Sequence, residues 1–229
     1  MPPRAIADDL FVFEGPDRVA GLDIGTRMTV ARLADGRLLL HSPIPHTPAI
    51  AQEIAQLGTP AHLVAPSKVH HLYLGPWTEA HPEATLHGAP GLRDKRRDLV
   101  FHRELGDSPP PDWADTLDQA LVAGIPHVNE VVFLHRASRT LVLTDLAMNF
   151  PALPDGFLTR LFVRAMALQG GLRTSRLIHG LVRDRAAARA SLERILGWDF
   201  DRVIPSHGEV CEEGGRRALR EAWNRLLRA

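Results

Sequence analysis

The sequence predicts an α+β protein built from two β-sheets packed together, with helices covering their outer faces. Two observations carry this. Strand-like apolar runs fall into two blocks, one ending near Gly88 and one beginning near Leu117, and segments of helical period follow each. The chain has 229 residues, 45% hydrophobic and 24% charged, which is enough apolar material to fill the spaces between layers. There is no internal repeat and no linker-like stretch, so residues 1–229 read as a single domain.

The elements follow in order. Leu10 to Pro16 reads as a short strand closed by a turn. Met28–Leu33 and Arg37–His41 flank Ala34-Asp35-Gly36, and Asp-Gly between apolar runs signals a hairpin. Pro48–Leu57 reads as a helix with Pro in its first turn and Gly58 as its stop. A strand at Ala61–Ala65, a helix at Leu72–Ala80 and a strand at Ala84–His87 come next. The basic run Arg93–Arg97 and the loop around Ser108-Pro109-Pro110-Pro111 read as exposed. In the second block, Glu130–His135 and Arg139–Asp145 are strands joined by Arg136-Ala137-Ser138. Phe157–Leu168 and Asp184–Leu196 read as helices, with Asp184 as N-cap of the second. A strand at Arg202–Pro205 precedes a C-terminal amphipathic helix, Gly215–Arg228, with Leu219, Ala222, Trp223, Leu226 and Leu227 on one face.

Composition excludes several function classes. Lys plus Arg and Asp plus Glu are both 27, so no net charge draws the chain to nucleic acid or an anionic membrane. Cys211 is the only cysteine, which excludes an internal disulfide and a cysteine-based zinc cluster. No apolar run approaches the roughly 20 residues of a membrane helix, and Met1–Leu10 lacks a signal-peptide core, so a cytoplasmic protein is expected.

Pro66-Ser67-Lys68-Val69-His70-His71-Leu72 is the most informative stretch. It puts adjacent imidazoles at a strand-to-helix turn. An isolated His-His pair is more often incidental than ligating, but three more segments share its logic. His127, Thr144-Asp145 and Ser206-His207-Gly208 each put a metal-capable side chain where a strand is expected to stop. Tyr73 and Trp77, four apart on the expected helix, read as core-facing. The basic run reads as a solvated face, and Cys211 as structural.

With these residues in order, the chain resembles the metallo-β-lactamase fold superfamily. Pro66-x-Lys68-x-His70-His71 occupies the place of that family's His-x-His-x-Asp-His motif. His127 stands at the third-histidine position, Leu141-Val142-Leu143-Thr144-Asp145 resembles the strand ending in the bridging aspartate, and Pro205-Ser206-His207-Gly208 resembles the last-histidine turn. The runs Lys68…His70-His71…Trp77 and Ser138-Arg139-Thr140-Leu141…Asp145…Asn149 resemble, more narrowly, an uncharacterised branch of it. The resemblance implies a four-layer αβ/βα sandwich. It also implies a metal site, but a reduced one. Pro66 cannot ligate, and Lys68 could do so only as a neutral amine. One half of the usual two-metal site keeps only His127 and Asp145. The other keeps His71, Asp145 and His207, with His70 in place of an aspartate. One divalent metal on His70, His71, Asp145 and His207 is therefore expected, with His127 as a further candidate and zinc ahead of iron or manganese.

On the same resemblance, the ion would activate a coordinated water for hydrolysis, Asp145 would handle its proton, and Lys68 would stabilise a developing oxyanion or orient an anionic small-molecule substrate. The alternative is a binding or scaffold module with a degenerate site, and the superfamily also contains iron-dependent oxidoreductases. The expected specificity loops, Arg93–Pro111 and Met148–Asp155, carry no signature that names a substrate. Phe150–Gly171 reads either as a lid or as the face of a homodimer.

Overall fold

The computed structural model describes residues 2–15, 18–19 and 22–228, so Met1, and Pro16 at the expected end of the first strand, lie outside the described residues. The first half runs Arg4–Ala7 (β1), Leu10–Gly15 (β2), Arg18–Val19 (β3), Leu22–Asp23 (β4), Thr26–Arg32 (β5), Leu38–His41 (β6), Pro48–Leu57 (α1), Pro60–Ala65 (β7), Leu74–Ala80 (α2), Thr85–Gly88 (β8), Leu92–Lys95 (α3) and Arg103–Glu104 (β9). The second half runs Leu117–Leu121 (β10), Val131–His135 (β11), Thr140–Val142 (β12), Met148–Phe150 (β13), Phe157–Ala165 (α4), Gly171–Arg173 (β14), Arg176–Leu181 (α5), Arg185–Leu196 (α6), Arg202–Ile204 (β15), Gly215–Ala222 (α7) and Asn224–Leu227 (α8).

One sheet has the order β1-β2-β5-β6-β7-β8-β9, and the other β10-β11-β12-β15. The first is antiparallel through β6 and parallel from β6 to β9; in the second, β15 joins β12 in parallel. Strand alternation sorts the side chains into three cores. On one side of the first sheet, Met28, Val30, Leu38, Leu40 and Leu63 pack with Ile54 of α1 and Trp77 of α2. Their neighbours Ala31, Leu39 and Val64 face the other way and meet Val131, Phe133, Val142 and Ile204 between the sheets. The outward residues Val132, Leu134, Leu141 and Val203 of the second sheet pack under Ile178, Leu192, Leu219 and Trp223. The layers are thus helix, sheet, sheet, helix, the αβ/βα sandwich expected from the sequence. Every residue of β7 is buried, because both of its faces are covered.

Most elements lie within a residue or two of their expected places. The Asp35-Gly36 hairpin forms between β5 and β6, with Gly36 at φ 82°. Thr47 and Asp184 cap α1 and α6 through their side chains. The differences have local causes. α2 begins at Leu74 and not at Leu72. The Ser67 hydroxyl accepts the backbone N–H groups of Val69 and His70, holding that stretch as a turn instead of a helical start. The C-terminal helix breaks at Trp223, whose indole N–H donates to the Leu146 carbonyl. The basic run carries the short helix α3, and Met148–Phe150, expected as loop, pairs with β14. Among the described residues no helix is long and apolar enough to cross a membrane.

The space between the sheets also holds imidazoles. His62 Nδ1 lies 3.1 Å from His87 Nε2, and both rings pack edge-on against Trp113. Burial is the main reason the His87 pKa is lowered to about 3. Its unfolded value is about 6.5. Protonation therefore favours the unfolded chain, and stability falls as pH drops from about 6.5 towards about 3. On the order of 2 kcal/mol should be lost between pH 7 and pH 5 from this group. Urea unfolding of the wild type and His87→Gln at both pH values checks this: the variant should have the flatter dependence.

Candidate metal centre

Three strand ends meet at one rim of the sandwich. The chain leaves β7 at Ala65 and turns through Pro66–His70. That turn is fixed on both sides: Lys68 N donates to Val128 O, and Val131 N to Pro66 O. Thr144-Asp145 follows β12, where Leu143 N donates to Ile204 O. Pro205-Ser206-His207 follows β15, and Asn149 holds this turn, donating its backbone N–H to His207 O and accepting from Glu209 N. Gly208 adopts φ 79°, and a Cβ there would lie 2.0 Å from Asn149 O, so the turn demands glycine.

His70, Asp145 and His207 each offer one ligand atom, and the three atoms lie within 4.8 Å of one another. His70 Nε2 is 3.3 Å from Asp145 Oδ2, and His207 Nε2 is 3.6 Å from Asp145 Oδ1. The far side of each ring is tied down. His207 Nδ1 donates to Gly25 O at 2.6 Å, so Nε2 carries the lone pair that faces Asp145. His70 Nδ1 lies 2.9 Å from Ser42 Oγ, and with that hydroxyl as acceptor the His70 Nε2 lone pair faces inward too. Burial works to raise the Asp145 pKa, but the positive charge that His70 and then His207 carry when protonated outweighs it and the net shift is downward, as a cation shared by the three would also make it. Asp145 Oδ2 is buried and faces His70 Nε2. Two imidazole lone pairs and a carboxylate converging on one point repel each other unless a cation or proton joins them. Outer hydrogen bonds from ligating histidines to a carbonyl or hydroxyl are the usual support of a metal centre. The donor set fits a divalent ion.

The other candidates from the sequence lie elsewhere. His71 is outside the three-residue cluster, although its ring lines the same cleft. Its Nδ1 is 3.1 Å from Arg96 Nη1, which also donates to His71 O at 2.7 Å. An arginine can only donate, so His71 Nδ1 accepts and its proton sits on Nε2. Burial, then Lys95 and Arg96, lower the His71 pKa to about 4, so the ring is neutral. It is a hydrogen-bond donor at the cleft wall. Lys68 Nζ donates to Pro126 O at 3.1 Å, and Lys68 is not among the residues lining the cleft. His127 is exposed, on the segment between β10 and β11.

Two supporting residues went unread in the sequence. Glu130 is fully buried, and its carboxylate accepts the backbone N–H groups of Thr144, Asp145 and Leu146. It therefore shapes the turn that presents Asp145. Burial first, and the Asp145 charge second, push its pKa up to about 7, against the N–H donors that favour the carboxylate. The buried Arg27 donates to Pro205 O and Gly208 O on either side of His207, with Glu14 balancing its charge. A carboxylate and a guanidinium within otherwise apolar strands were the available signals, since neither is buried without partners.

Glu130→Ala should leave three buried N–H groups unpaired and cost at least about 3 kcal/mol in urea unfolding. Glu130→Gln, which keeps an acceptor oxygen, should cost less, and both should weaken metal binding. Equal costs for the two would contradict the acceptor role, because only glutamine keeps an oxygen for these N–H groups.

Solved structures supply the comparison. The DIM-1 metallo-β-lactamase exposed to ceftazidime superposes with a TM-score of 0.67 at 13% identity, covering 97% of this chain and 96% of that one. The metallo-β-lactamases from Pontibacter korlensis and Hirschia baltica each superpose at 0.66, with 10% and 12% identity, covering 97% and 99% of this chain and 98% of each of theirs. Identity this low establishes the fold alone, which is the metallo-β-lactamase fold. No curated protein matches by sequence. A family model described as "Domain of unknown function (DUF4336)" matches residues 7–170, from the first sheet through α4 and including His70 and Asp145. The chain therefore belongs to the DUF4336 family, on a metallo-β-lactamase fold.

Proposed function

We propose that this chain, acting as one domain over residues 1–229, is a single-metal hydrolase of small-molecule acyl compounds, with His70, Asp145 and His207 as the ligands. The observation that carries this is the convergence of the three ligand atoms within 4.8 Å at the wall of a cleft. Two histidines and one carboxylate are a common catalytic zinc set and leave a coordination position open; iron or manganese accept the same donors. A divalent ion there would supply Lewis-acid polarisation and water activation.

The chain's own residues complete the reaction. Asp145, whose buried Oδ2 faces His70 Nε2, takes a proton from the attacking water. His71 Nε2–H donates to the acyl oxygen as it gains charge, with Arg96 fixing the tautomer. The water oxygen bonds to the acyl carbon, the bond to the leaving group breaks, and the leaving group departs with the proton. Lys68 donates to Pro126 O away from the cleft lining and has no part in this step. The scaffold alternative draws on Pro66 and Lys68, where ligands are expected but not present.

Elemental analysis of the full chain purified without chelator should find one divalent metal per chain. His207→Ala and Asp145→Ala should lose it, and Ser42→Ala should weaken it about tenfold. His127→Ala should keep it, and His71→Ala should keep it while losing most acyl hydrolysis. Two metals per chain, or full metal content in Asp145→Ala, contradicts the proposal.

A further inference from the structure

The cleft beside the cluster is walled by apolar side chains. Its volume is about 290 Å³. Ile24, Val69, Leu72 and Met148 line it, with Phe162 of α4 and Leu177 of α5. Among the described residues no lysine or arginine lines it. A ligand carboxylate or phosphate would thus meet neither ammonium nor guanidinium from these residues. Its polar lining is the cluster His70, Asp145 and His207 with the adjoining His71, together with Thr26, Ser42 and Tyr73. The opposite character continues out of the mouth. Leu72 and Leu177 line the cleft and are each 59% exposed. Leu158, 55% exposed, lies one helical turn before Phe162 on α4, and so on the same face. Large apolar side chains left in water and continuous with a cleft that carries a polar cluster mark a ligand surface more than chance exposure.

We infer that the cleft is built for an uncharged ligand with an extended apolar chain, its polar carbonyl end at the histidines and its chain running past Leu72 and Leu177 along α4. On the hydrolase reading above, on which this inference rests, the substrate is a neutral ester, lactone or amide of a medium or long acyl chain. The apolar walls, without a lysine or arginine among the described lining residues, select against a charged tail and give affinity that grows with chain length. Each methylene buried should strengthen binding about three- to fourfold.

The test is displacement of the neutral fluorophore N-phenyl-1-naphthylamine from the full chain by primary alkyl amides from butanamide to decanamide. Affinity should rise about threefold or more per methylene until the cleft and rim are filled. Leu72→Asp and Leu177→Asp change exposed positions, so folding should be unaffected. They should weaken decanamide at least tenfold and butanamide less than twofold, with metal content unchanged. A flat chain-length series overturns the inference, as does decanamide affinity that survives both substitutions. Sedimentation with neutral phosphatidylcholine vesicles, or concentration-dependent dimerisation, that is lost in both variants while the amide series stays flat would assign the rim to a membrane or to a second copy, and also overturns it. Parallel kinetics with p-nitrophenyl acetate through decanoate separate the two claims. If no ester is cleaved but the amide series and its loss hold, the hydrolase reading fails and this inference stands. If acetate is cleaved with no preference for longer chains, the hydrolase reading stands and this inference fails.

Discussion

The constraint on which the site depends is electrostatic. His70, His207 and Asp145 bring two lone pairs and a carboxylate to one buried point at the rim between the sheets. Such an arrangement is held only if backbone and outer hydrogen bonds force it. Here they do. Gly25 and Ser42 fix the rings, Glu130 gathers the N–H groups of the Asp145 turn, and Arg27 grips the carbonyls around His207. Gly25, Arg27 and Ser42 come from the first sheet and its loops, and Glu130 leads into the second. The centre is therefore a property of the sandwich as a whole. Loosening the contact between the sheets should loosen the ligands first.

The same logic explains the division of labour between adjacent histidines. His70 and His71 follow one another on a turn whose first residues Ser67 ties down, so their rings point to different partners. His70 faces Asp145, and His71 faces Arg96. One becomes a lone-pair donor to the cluster and the other a neutral N–H donor to the cleft. Lys68, earlier on that turn, is directed to Pro126 on the outside. That orientation keeps Lys68 out of the cleft lining, where the apolar walls govern what enters.

Much of this was legible in the sequence. The two β blocks, the Asp35-Gly36 hairpin and the cap at Asp184 depend on local chemistry, and the helices that follow each block indicated the layers. His70, Asp145 and His207 were found because each follows a strand, and strand ends converge in a layered fold. His71 and Lys68 were harder to place. A motif gives spacing along the chain, whereas direction around a tight turn is set by tertiary hydrogen bonds. Glu130, Arg27 and Ser42 act on segments distant in sequence, so their roles needed coordinates. The short pair β13–β14 and the helix α5 carry too few residues for a periodic signal, and packing against their neighbours decides them.

Anomalous-scattering crystallography of the protein purified without chelator, with data on both sides of the metal absorption edge, addresses the central claim most directly. One ion should appear, bonded at about 2.0–2.2 Å to His70 Nε2, His207 Nε2 and an Asp145 oxygen, with a coordination position open to the cleft. An ion held by His71 or His127, a second ion near Lys68, or a cluster that closes on itself through a shared proton with no ion would contradict it.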